Sequence, residues 1–120
     1  MAAVKGWIGV DLDATLAFYD GWKGIDHIGA PIPAMVARIH AWLAENSLTV
    51  KIFTARVSHD GTPQRMAEAE VAREAIRLWC LKHIGVELEI TNVKDFAMVA
   101  TWDDRAIQVV PNTGEPVVRP

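Results

Sequence analysis

The chain has a single cysteine, Cys80, so no internal disulfide can staple it. That usage fits a reducing compartment. Basic residues are not in excess. Lys and Arg number 12 against 15 Asp and Glu, for a net charge of −3. The broad basic footprint of a nucleic-acid binder is therefore missing, although net charge does not report a narrow groove. No apolar run is long enough to cross a bilayer, and the opening residues lack a charged-then-apolar signal pattern. A soluble, cytoplasmic protein with no membrane partner is expected. There is no internal repeat and no low-complexity segment. His27, His40, His59 and His83 lack metal-ligand spacing, which leaves them solvated or structural roles.

What is present is globular. The chain has 120 residues, enough for one domain, and 51% of them are hydrophobic, enough for a core. Trp7-Ile8-Gly9-Val10 is an apolar run of the kind that forms a buried parallel strand. Residues 14–32 are irregular, with aromatics Phe18, Tyr19 and Trp22 among glycines and prolines. Met35, Val36, Ile39, Trp42 and Leu43 recur at helical spacing, with Pro33 in the first turn and Asn46 as a stop. Val50 to Phe53 reads as a second strand. Thr62 and Pro63 open a long helix whose apolar face runs from Met66 to Cys80, and Gly85 ends it. Leu88 to Ile90, Met98 to Trp102 and Gln108 to Val110 read as third, fourth and fifth strands. The alternation predicts an α/β domain, a three-layer α/β/α Rossmann-like fold around a mainly parallel sheet of about five strands. Trp7, Trp42, Trp79 and Trp102 sit in periodic segments and read as core, whereas Trp22 lies in a loop. Cys80 reads as a buried packing residue.

The polar residues that end these strands carry the chemistry. Strand one delivers Asp11 and Asp13, strand two Thr54 and Arg56, and strand four Asp103, Asp104 and Arg105. Lys94 lies between strands three and four. In a doubly wound sheet such positions converge on one edge. Carboxylates crowded together cannot all stay ionised unaided. A hard divalent cation such as Mg²⁺ resolves that conflict, and Thr54, Lys94, Arg56 and Arg105 then suit a phosphoryl group. A carboxylate can also act as nucleophile, with a second carboxylic acid moving protons.

Val10-Asp11-Leu12-Asp13-Ala14-Thr15-Leu16, Thr54 after a strand, Lys94 and the pair Asp103-Asp104 occur in the order shown by the haloacid dehalogenase-like phosphatase superfamily, which this chain resembles from residue 7 to about 110. The resemblance implies that Asp11 is nucleophile and metal ligand. Asp13 would be the general acid/base and bind metal through its backbone carbonyl. Thr54 and Lys94 would hold the phosphoryl group, and Asp103, helped by Asp104, would bind Mg²⁺.

Many relatives carry a cap domain. Here the insertion after Asp13, residues 14–32, is too short for a core of its own, so a capless domain with a flap is expected. Such relatives act on large substrates or gain a lid by forming a homo-oligomer. The surroundings of Asp103-Asp104-Arg105 are similar to those in nucleotidases and polynucleotide 3′-phosphatases. A phosphorylated small molecule, a nucleotide or a nucleic-acid end is the expected partner. Competing readings are a phosphotransferase, a phospho-accepting receiver-like domain and a silent assembly module. In the receiver the acidic pair ends the first strand, whereas here it ends the fourth.

Overall fold

The computed structural model describes residues 5–118. Strand β1 spans Trp7–Val10, helix α1 Pro33–Glu45, strand β2 Thr49–Phe53, helix α2 Pro63–His83, strand β3 Glu89–Thr91 and strand β4 Met98–Trp102. A short 3₁₀ turn, Ala55–Val57, lies between β2 and α2. The sheet order is β3-β2-β1-β4, and every pairing is parallel. The chain steps outward from β1 to β3, then returns to the other side of β1 for β4. The direction reverses between β1 and β4, and that switch point is where open α/β sheets leave a crevice.

The helix boundaries follow local chemistry. Pro33 and Pro63 occupy first-turn positions, where a missing N–H costs nothing. The Thr62 side chain accepts from Arg65 N–H and caps α2. Asn46 ends α1 in the left-handed region at φ 57°, and its N–H bonds back to Trp42 O.

Ile8 and Val10 of β1, with Val50 and Ile52 of β2, meet Met35 and Ile39 of α1 and Ala72, Ile76 and Cys80 of α2 in one core. Both helices therefore lie on one face. The reason is handedness. The β1–α1–β2 and β2–α2–β3 crossovers step the same way, so two right-handed crossovers place both helices together. On the opposite face, Trp7 packs edge-on against Phe53 at 6.1 Å between ring centroids. Lys51 Nζ lies 4.6 Å over the Trp7 ring, and Trp7 Nε1 donates to Asp95 at 2.7 Å. A Cβ on Gly9 would displace the end of the Met98 side chain and press on Trp7 and Phe53, so glycine suits this crowded position.

Two fold expectations need correction. Among the described residues the opposite face carries no third layer of helices; Asp95 of the connection 92–97 reaches Trp7 there, while Val93, Phe96 and Val99 stay exposed. The sheet has four strands, not five. Gln108 to Val110 forms no strand; Val109 makes one isolated antiparallel bridge to Pro116. Val110 N–H donates to Glu115 O and Val117 N–H to Gln108 O within this short hairpin, and Ile107 and Val109 stay exposed, so no burial draws the segment onto the sheet. No helix among the described residues is long and apolar enough to cross a membrane.

Candidate functional site

Three strands stop one residue before a polar side chain. β1 ends at Val10 before Asp11, β2 at Phe53 before Thr54, and β4 at Trp102 before Asp103. Parallel pairing brings these ends to one edge. Asp11 N–H donates to Trp102 O at 2.9 Å, which ties the two acidic segments together across the switch point. They open a cavity of about 650 Å³ lined by Asp11, Asp13, Thr54, Arg56, Asp103 and Asp104. Trp22 and Tyr19 from residues 14–32, and Arg65 from the first turn of α2, complete its wall.

One carboxylate oxygen each from Asp11, Asp103 and Asp104 lie within 4.8 Å of one another, close enough to ligate one ion. Thr15 holds this set in place. Its hydroxyl donates to Asp104 Oδ1 at 3.2 Å and accepts Asp104 N–H at 3.1 Å. Asp103 Oδ1 accepts Arg105 N–H at 2.7 Å. Half-burial first, and then the adjacent Asp103 and Asp104, push the Asp11 carboxyl up to about 7.

The turn after β1 separates the two aspartates. Leu12 and Leu16 are fully buried, and Leu12 O accepts the N–H groups of Leu16 and Ala17. Ala14 adopts φ 66°, a conformation that costs an alanine strain. The result turns Asp13 away from the acidic set and onto Arg56. Arg56 Nε and Nη2 each donate to an Asp13 oxygen at 2.8 Å. Asp13 therefore offers no carboxylate to the ion-sized cluster.

Thr54 is buried, and its Oγ1 accepts Arg56 N–H at 3.2 Å, which leaves its own hydroxyl proton to donate into the cavity. Lys94 is exposed in the connection after β3 and is not part of the cavity wall. Cationic side chains that do line it are Arg56, Arg65 and Arg105.

The roles of Arg65 and Thr15 were not legible from spacing. Arg65 reaches the cavity only because α2 begins there. Its one signal was its place in the first turn after the Thr62 cap. Thr15 was visible as the last residue of the Asp-x-Asp-x-Thr motif, but its Asp104 partner is 89 residues away.

Residues 14–32 form a loop closed at its base. Phe18 N–H donates to Ala30 O, Ile32 N–H to Leu16 O, and Trp79 Nε1 to Gly29 O at 3.0 Å. The loop has no helix or strand of its own. No family model matches the chain, and no curated protein or solved structure matches it either.

Proposed function

We propose that this chain is a Mg²⁺-dependent phosphomonoester hydrolase of the haloacid dehalogenase-like type, reduced to a capless Rossmann-like domain. The observation that carries the reading is the meeting of Asp11, Asp103 and Asp104 at the sheet's switch point, with Asp13 and Thr54 on the same cavity wall. Three hard oxygen donors at that spacing, one of them kept from ionising freely, fit a small divalent cation. Asp11, Asp103 and Asp104 would hold Mg²⁺, with the Asp13 backbone carbonyl as a further donor. When bound, it would neutralise charge on the phosphoryl oxygens and on Asp11.

The side chains divide the rest. An Asp11 oxygen attacks phosphorus as the bond to the ester oxygen breaks. Asp13, protonated on an oxygen that one Arg56 N–H has released, gives that proton to the ester oxygen, which leaves as an alcohol. Water then attacks the phosphorus of the aspartyl-phosphate while Asp13 takes a proton back. The acyl–phosphate bond breaks, which restores the Asp11 carboxylate and releases phosphate. Thr54 donates its hydroxyl to a phosphoryl oxygen, and Arg65 and Arg105 add positive charge. Tyr19 and Trp22 give the cavity flat apolar walls. These suit a substrate that carries a ring beside its phosphate, such as a nucleotide or a nucleic-acid end.

The test is phosphate release from an aryl phosphate with and without Mg²⁺, comparing wild type with Asp11→Asn. A panel of nucleotides, sugar phosphates and 3′-phosphorylated oligonucleotides extends it. Wild-type release no faster than that of Asp11→Asn across the panel defeats the proposal. Undiminished turnover in EDTA removes the metal from it, and Asp103→Ala is expected to weaken Mg²⁺ binding. An acceptor alcohol in the assay separates hydrolysis from phosphotransfer, because transfer yields a new ester instead of free phosphate.

A further inference from the structure

Arg56 stands out chemically. Thr54 and Arg56 are the buried polar residues among those described, and a buried guanidinium must be paired to be tolerated. Its pairing is nearly complete. Nε and Nη2 grip both oxygens of Asp13 at 2.8 Å. Nη1 reaches Ile25 O at 3.1 Å and, more weakly, Gly24 O at 3.4 Å. Its Cζ lies 4.9 Å from the Trp22 ring centroid. Of five N–H groups, four are committed, so no fork is left with which to grip a phosphoryl group.

We infer that Arg56 is a positioning residue that locks the Asp13 carboxylate and the 14–32 flap into one unit, instead of a phosphate ligand. The inference rests on the reading of Asp13 as proton carrier. Both ends of the flap are then fixed by different means. Its base is pinned by Leu16, Ala17 and the Trp79 bond to Gly29, whereas its outer part is held by Arg56 together with the packing of Ile25 and Ile28 against the core. Asp13 is aligned only while the flap is seated. Trp22 lines the cavity and is 58% exposed. A substrate ring stacked there presses the flap onto Arg56, so occupancy of the cavity and alignment of Asp13 become one event.

Hydrogen exchange on the full chain tests this without any substrate. Arg56→Ala is expected to speed exchange of the His27 amide, which donates to Gly24 O beside the Arg56 contact, roughly tenfold, with α1 and the β1–β2 core unchanged. Arg56→Lys keeps the stem and charge but loses the fork, so it is expected to do the same, and it carries the test if Arg56→Ala fails to fold. Adding Asp13→Asn to Arg56→Lys is expected to give no further increase, because both changes break one link. In turnover, Arg56→Lys is expected to lower kcat at least about tenfold with KM and inhibition by inorganic phosphate within about threefold. Unchanged flap exchange in Arg56→Lys overturns the inference, as does a loss confined to KM and phosphate inhibition. If even wild type turns over no phosphate ester, the hydrolase proposal fails, and the exchange data alone decide whether Arg56 holds the flap to Asp13.

Discussion

Removing the charge of Asp11 is expected to stabilise the metal-free protein at high pH and to do little at low pH. The sign follows from the direction of the shift. Asp11 is pushed up from 3.8 to about 7 in the folded state, chiefly by burial and then by Asp103 and Asp104. A folded carboxyl that holds its proton more tightly than the unfolded one favours folding below pH about 4. That advantage is lost as the pH rises through about 7. At roughly 1.4 kcal/mol per pH unit, the full difference caps the effect at about 4 kcal/mol. Asp11 is only half-buried, so solvent screening brings the expected contribution down to about 1–2 kcal/mol. Asp11→Asn mimics the protonated carboxyl at every pH. Its melting temperature relative to wild type, measured in EDTA, is therefore expected to climb by about 4–8 °C between pH 4.5 and 8. Mg²⁺ is expected to reverse the ordering. At pH 8 it is expected to raise the wild-type melting temperature and leave Asp11→Asn nearly untouched. Below pH 7 each unit of acid is expected to weaken Mg²⁺ binding about tenfold, because one proton must leave Asp11. A difference between the two proteins that does not change with pH refutes the electrostatic reasoning. Equal stabilisation by Mg²⁺ at pH 5.5 and 8 refutes the carboxylate cluster as its site.

Three further outcomes are expected. Ala14→Gly relieves the left-handed backbone at φ 66° and is expected to stabilise the fold by about 0.5–1 kcal/mol in thermal melts; a loss of stability contradicts the strain. Thr15→Val removes both hydrogen bonds to Asp104 and is expected to weaken Mg²⁺ binding about ten- to hundredfold by calorimetry, with the fold intact. Lys94→Ala is expected to change kcat/KM less than about threefold, because Lys94 is exposed outside the cavity wall; a loss above a hundredfold shows that the lysine reaches the phosphoryl group when substrate binds.

Local structure is legible in the sequence where neighbouring residues decide the outcome. Thr62 capping α2, Pro63 in its first turn and Asn46 stopping α1 each act within one turn of chain. β1, β2 and β4 were legible because a short apolar run ending in an acidic or hydroxyl residue has few other homes in an α/β domain. The third layer was not legible, because it depends on where the chain crosses and not on what it contains. Once β1, β2 and β3 step in one direction, handedness puts both helices on one face. The return through residues 92–97 is then too short to carry a helix to the other. The fifth strand failed for a different reason. Gln108-Val109-Val110 has strand propensity, but it pairs with residues 115–117 of its own hairpin and not with the sheet.

The site divides along the same line. That Asp11, Thr54 and Asp103 meet was legible, since each follows the last residue of a strand and parallel strands bring such residues to one edge. Their electrostatic division was not. Asp11 and Asp13 are two residues apart, and continued strand geometry would turn both side chains to the same face. The strand stops at Val10 instead. Buried Leu12 then anchors a turn that Ala14 completes in the left-handed region, and the two carboxyls part company. Asp11 stays with Asp103 and Asp104, which with burial push its carboxyl up to about 7. Asp13 goes to Arg56, 43 residues on, whose remaining bonds run to the flap. A motif two residues wide thus serves two separate networks, and it is the strained residue between Asp13 and Thr15 that lets it.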